Sequence, residues 1–212
     1  MIHWSTEDGV NVATLDRPER RNALDGATVS ELAEHLTSPN DPAPPIVLTG
    51  AGTTFCSGFD LSSGEGATFK AGADAMFDAI LDYPAPVIAA LNGPAVGMGA
   101  ILALTCDLRV GVPTCWFEIP AARLGVVLDS AYLERVSARV GLPAAQTLFV
   151  ASSRISADRA LALGMLHGIA DDAVDEARSW ATHVTGVSTR SVATHKAMLN
   201  HRPVPTSTPA SA

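Results

Sequence analysis

Two short stretches carry the residue types that chemistry beside a carbonyl needs. "TFCSGFDL" (54–61) and "GPAVGMGA" (93–100) each follow an apolar run and turn through glycine, which leaves backbone N–H groups unpaired and able to face a ligand. Two such donors converging on one oxygen form an oxyanion hole, which stabilises a developing enolate and contributes roughly 100- to 1,000-fold in rate per donor. The plainer alternative is a pair of tight turns that only let neighbouring elements pack, and spacing alone favours it. Other glycine templates fail. In "VLTGAG", Gly50 and Gly52 follow an apolar run, but the third glycine position of a dinucleotide loop is Phe55. Neither turn supplies G-x-S-x-G, and there is no Walker loop.

Acid–base groups are scarce around these turns. The stretch 92–107, "NGPAVGMGAILALTCD", has no carboxylate before Asp107. Asp129 follows Val126, Val127 and Leu128 and stands one residue before the helical "SAYLERVSARVG". Two readings are open for it: apolar neighbours would raise its pKa and suit it to proton transfer, or it caps free helix N–H groups and is stabilised as the anion. The six histidines show no pair at metal-binding spacing, and Cys56, Cys106 and Cys115 are an odd set without C-x-x-C. No metal site and no disulfide framework are expected.

Composition bounds the rest. A chain of 212 residues with 47% apolar content fits one domain with a substantial core. Fourteen basic against 22 acidic residues, a net charge of −8, argue against a polyanion-binding surface, so nucleic acid is not an expected partner. "MIHWSTEDGVNVATL" carries acids where a signal peptide needs a basic region and an apolar core, and no apolar run approaches the roughly 20 residues of a membrane span. The expectation is a soluble, cytoplasmic protein with reduced thiols and no membrane partner.

The elements that must position the turns alternate in type. "GVNVATLDRP" places Val10, Val12 and Thr14 on one face of a strand stopped at Arg17-Pro18, and "DGATVSELAEHLTS" has helical spacing with Asp25 as its cap. "PIVLTGAG" and "PVIAALNG" are buried strands, "GAILALTCD" is a short apolar helix, and "LRVGVP" and "CWFEIP" are further short strands. Residues 64–72 are expected to form a mobile loop before "ADAMFDAILDYP" resumes helical periodicity. From Ser130 the chain turns mostly helical, through "SAYLERVSARVG", "PAAQTLFVAS", "SADRALALGM" and "VDEARSWATHV". Residues 1–200 therefore form one domain, with a core to about 140 and a helical region over 141–200, and 201–212 form a Pro- and Ser-rich disordered tail.

In order along nearly the whole chain, "LDRPERRNALD", "IVLTGAGTTFCSGFDL", "PVIAALNGPAVGMGAILALTCDLRV", "LGVVLDSAYLERVSARVG" and "RISADRALALGM" resemble the signature blocks of the crotonase superfamily, the enoyl-CoA hydratase/isomerase family. The resemblance implies an α/β spiral of repeated ββα units with a helical C-terminal region, acyl-CoA or enoyl-CoA thioester ligands in fatty-acid metabolism, and a homotrimer or dimer of trimers. Coenzyme A enters as part of the thioester, with no tightly bound cofactor. Carried over by position, the oxyanion hole would be the N–H groups of Phe59 and Met98, the latter standing where the family usually has glycine. Ala23, Leu24, Cys56, Ser57, Gly58, Asp60 and Leu61, with Gly97 and Gly99, match positions along the ligand path, and Arg20 or Arg21 could meet a coenzyme A phosphate. Asp60 and Asp107 match structural, turn-closing positions.

The resemblance also marks a loss. The two glutamates with which hydratases of the family hold and deprotonate water match Ile101 and Ala121 here, and neither side chain takes a proton. Glu118 lies three positions too early to replace one of them. Asp129 matches a position where dehalogenase and dienoyl isomerase relatives carry a functional aspartate. An acyl-CoA-binding protein without ordinary hydratase activity is expected, the alternative being an isomerase or other enolate-forming enzyme that uses Asp129. Relatives continue through further helices after "VATHKAMLNHRP", so a shortened lid, a more open acyl site and a trimer contact on fewer helices are also expected.

Overall fold

The structure is a computed structural model and describes residues 1–64 and 66–204. The chain opens with a hairpin, β1 (Ile2–Glu7) and β2 (Val10–Leu15). Asp8 (φ 52°) and Gly9 (φ 73°) form its two-residue turn, and positive φ at both positions matches the right-handed twist of the flanking strands. That Asp-Gly signal marks β1, which the alternation of residues 10–14 alone does not.

β2 is followed by α1 (Gly26–Thr37), β3 (Ile46–Gly50), α2 (Gly66–Asp82), β4 (Val87–Leu91), the short β5 (Ala95–Val96), α3 (Met98–Thr105), β6 (Leu108–Gly111) and β7 (Trp116–Glu118). The six-stranded sheet has the order β1-β2-β3-β4-β6-β9, where β9 is Gly168–Ile169, and every pairing after the first is parallel. β3 and β4 are buried at every residue, as befits parallel strands covered on both faces.

A second, thinner layer runs beside the first. Leu24 bridges Phe59, Cys56 bridges Ala95, β5 pairs β7, and β7 pairs β8 (Ile155–Ser156). Each turn of the chain thus sets a long strand in the large sheet and a short one in the thin layer before a helix, the repeat seen in β4-β5-α3 and β6-β7-α4. Both glycine turns lie in this thin layer.

α2 begins at Gly66, so the loop expected over 64–72 is shorter than the composition suggests; residue 65 lies outside the described residues. The helix is held by α1: a Cβ on Gly72 would fall 2.9 Å from Val29 Cγ2, and this close approach explains a glycine inside a helix. α4 (Ser130–Phe149) joins two of the expected helices across a kink at Gly141 (φ 74°), two residues before Pro143.

The chain continues through α5 (Ala157–Ala162), α6 (Ala173–Thr185) and α7 (Thr189–Leu199). α7 is tied to the body by buried Lys196, whose Nζ lies 2.7 Å from Asp107 Oδ2 and donates to the Ala85 carbonyl at 2.9 Å. Asp107 also accepts the Val87 N–H at 2.8 Å, the structural role expected of it. Arg202 pairs with Asp82, while 205–212, most of the expected tail, lie outside the described residues. Among the described residues no helix is long and apolar enough to cross a membrane.

Candidate active site

The two glycine turns lie against each other. Val96 N–H donates to the Cys56 carbonyl at 2.9 Å, and a Cβ on Gly58 (φ 99°) would fall 3.2 Å from Met98 N and 2.8 Å from Val96 O. A Cβ on Gly99 would fall 2.5 Å from Cys56 O and 2.8 Å from its Sγ. Only glycine permits this contact at either place.

The backbone pattern sets the direction of both candidate donors. Leu24 N–H donates to Gly58 O at 2.7 Å and Asp60 N–H donates to Leu24 O at 2.8 Å. In a parallel bridge of this kind the intervening residue turns its own N–H to the opposite side, so the Phe59 N–H points away from Leu24. Met98 opens α3, follows Gly97 (φ 55°), and is itself outside the positive-φ residues. Its side chain in place of hydrogen therefore costs no backbone strain, and its N–H is one of the free donors at the positive end of a helix. The Gly97 N–H is consumed by the Glu118 carbonyl at 2.8 Å.

Phe59 and Met98 border one cavity of about 570 Å³, together with Ser57, Gly58, Leu61, Gly97, Ala121 and Asp129. Ala23, Leu24, Cys56, Asp60, Gly99 and Ile101 do not border it. The side chains of Leu24 and Cys56 have no exposed surface, so they could serve a ligand path only through backbone atoms. Burial pushes the Cys56 thiol up to about 12, and it is not a reactive group. Asp60 takes Arg17 Nη2 at 2.9 Å and the Ser62 N–H and hydroxyl, which hold its carboxyl below the usual range. Arg17 also meets Asp25 at 2.9 Å, clamping the first turn to the loop over 17–25. Arg20 and Arg21 are exposed on that loop, and their carbonyls receive the Ser57 hydroxyl and N–H at 3.2 and 3.0 Å.

Asp129 is where the two readings are decided. Its side chain is 41% exposed, it accepts the Ala131 N–H at 3.1 Å as the cap of α4, and Lys70 Nζ lies 3.3 Å away. The cap and the ammonium together hold its pKa below the ordinary value. An apolar neighbourhood that raises it is corrected: Val127 is 95% exposed, and no desolvation sufficient to oppose the cap exists there. Lys70 was hidden within the stretch expected to be a loop; as a helical residue it meets Asp74 one turn on, at 2.7 Å. The Tyr132 hydroxyl donates to the same Asp74 at 2.7 Å, so this wall of the cavity is a connected polar group. Among the described residues, Asp129 is the single carboxylate bordering the cavity.

Ile101 is fully buried within α3 and Ala121 borders the cavity. Glu118 is buried on β7 with its carboxylate turned to Arg123 and to Arg154, the latter at 2.9 Å, and it does not border the cavity. Among the described residues no cluster of His, Cys, Asp and Glu is arranged to hold a metal ion.

Known proteins resemble this chain over most of its length. The chain is 37% identical over 206 residues to a Mycobacterium leprae protein named "Probable enoyl-CoA hydratase", covering 94% of this chain and 83% of that one. It is 34% identical over 205 residues to a carnitinyl-CoA dehydratase of Proteus mirabilis, covering 92% and 78%. The crystal structure of an enoyl-CoA hydratase/carnitine racemase from Magnetospirillum magneticum superposes with a TM-score of 0.86 at 30% identity, over 98% of this chain and 83% of that chain. The Enoyl-CoA hydratase/isomerase family profile matches residues 5–210. With these blocks in this order and this repeat of short and long strands, the chain has the crotonase fold and belongs to the enoyl-CoA hydratase/isomerase family.

Proposed function

We propose that the protein binds acyl-CoA or enoyl-CoA thioesters in this cavity and lacks ordinary hydratase activity. The observation that carries the reading is the pairing of Phe59 and Met98 on one cavity whose single described carboxylate is Asp129. The thioester oxygen would accept from the two main-chain N–H groups, and the acyl chain would lie among Phe69, Ile119 and Leu128. Arg20 and Arg21, exposed beside Ser57, suit a coenzyme A phosphate. Hydration requires groups that deprotonate and orient water, and Ile101 and Ala121 at the matching positions supply neither. Free, buried cysteines support a cytoplasmic location, and the family resemblance supports assembly as a trimer or dimer of trimers. Calorimetry with acyl-CoAs of several chain lengths tests binding, with micromolar affinity expected. Hydration of crotonyl-CoA at an enzymatic rate would refute the second half.

A second reading rests on Asp129 bordering the same cavity as the two donors. As an anion it could accept a proton from an acyl carbon whose charge the oxyanion hole stabilises, and return it elsewhere on the chain. Isomerisation of a 3-enoyl-CoA that Asp129→Asn abolishes without weakening binding would establish this reading over the carrier one.

A further inference from the structure

We infer that Glu118 is a positioning residue for the thioester cradle: its buried carboxylate, paired with two exposed arginines, ties the Met98 turn to the segment after Ala121 that borders the same cavity. The inference rests on the thioester-binding reading above. Glu118 is 3% exposed, and a carboxylate buried to that degree is retained only with full pairing. Its main-chain carbonyl takes the Gly97 N–H at 2.8 Å, directly before Met98, and Val96 is its partner in the β5–β7 ladder. Its side chain takes Arg123, which sits on the 3-10 turn Ala122–Leu124 immediately after Ala121, and Arg154 at 2.9 Å.

Both arginines are anchored a second time. Arg123 donates to Ser152 O at 2.7 Å, and the Arg154 guanidinium lies 4.0 Å over the Trp116 ring. One residue thus joins the turn that carries the Met98 N–H to the segment after Ala121, another part of the same cavity wall. That wall needs a tether, because residues 122–127 are exposed throughout. Truncating Glu118 would leave Arg123 only its bond to Ser152 O and Arg154 only its stacking on Trp116, and so loosen both constraints together.

The test uses the full chain and a conjugated dienoyl-CoA, whose absorbance moves to longer wavelength when hydrogen bonds polarise the thioester carbonyl. Affinity and the shift are measured for the wild type, Glu118→Gln and Arg123→Met, with circular dichroism to establish folding. Glu118→Gln is expected to bind about ten-fold more weakly and to lose most of the shift, the signature of a displaced donor. Arg123→Met keeps the Arg154 pair and should change both readouts in the same direction by a smaller amount. Folded Glu118→Gln with weaker binding but an unaltered shift would reduce Glu118 to a general structural role and overturn the inference. Wild-type values in Arg123→Met would do the same if Glu118→Gln does not fold. Failure of the wild type to bind, or binding without any shift, would instead refute the thioester-cradle reading itself.

Discussion

At the scale of single residues, the site is defined by which groups can carry a proton and in what state. Asp129 was readable from the sequence as a candidate but not in its protonation, because the deciding neighbour, Lys70, is 59 positions away and came from a stretch whose glycines masked a helix. With its pKa held below the ordinary 3.8, Asp129 is the anion throughout the neutral range. The sign is that of a depressed carboxyl: its favourable contribution is present above the unfolded value and is lost as pH falls through the lower folded one. A carbon-detected NMR titration should place its midpoint below 3.8, and Lys70→Met should move that midpoint up while leaving the effect of the Ala131 N–H. If Asp129 is the base of an isomerase, its rate should hold level from neutral pH down towards this midpoint. The two positions matching hydratase glutamates also differ physically. Ala121 borders the cavity and Ile101 has no exposed surface. Ala121→Glu should therefore fold with stability near wild type, whereas Ile101→Glu buries an unpaired carboxyl and should lower the unfolding free energy by about 3 kcal/mol or more, read by urea denaturation.

At the scale of elements, the glycine turns show what sequence reasoning reaches and where it stops. Alternation located β2, apolar runs bounded by turn residues located β3, β4 and α3, and Asp25 capped α1 as expected, accepting the Thr28 N–H at 2.9 Å. Those are local properties. The mutual contact of residues 56–58 with 96–99 is not local; it depends on the thin second layer, whose strands of two or three residues are too short for any periodicity to register. One of them, β7, was legible in "CWFEIP"; the family resemblance supplied the repeated two-strand arrangement, and the hydrogen bonds explain it. Gly99 is the sharpest probe. An added methyl would lie 2.5 Å from Cys56 O and 2.7 Å from its Cβ, atoms on a backbone that is itself paired to Val96. Gly99→Ala should cost about 1–3 kcal/mol of stability and should also separate the two donors, so a lower melting temperature is expected together with weaker acyl-CoA binding in calorimetry. Unchanged binding in a destabilised variant would mean that the two turns are not coupled.

At the scale of the whole molecule, the cavity opens among apolar side chains that one chain leaves uncovered. Leu61, Leu124 and Val127 border it and are 75%, 62% and 95% exposed. Isolated exposed leucines and valines need no account, but several on one rim mark a surface that ligand or protein covers. A thioester's acyl chain can cover only the inward-facing part, since Val127 is turned almost wholly to solvent. The proposed trimer would cover the remainder. Light scattering is therefore expected to give a mass three or six times the 21.9 kDa of one chain, unchanged on addition of acyl-CoA. Val127→Asp separates assembly from ligand binding: a charge on a protein-covered rim should shift the mass towards one chain at low concentration, whereas on a solvent-facing rim it should change nothing. A wild-type mass of 21.9 kDa would refute the trimer and assign the apolar rim to the acyl chain alone.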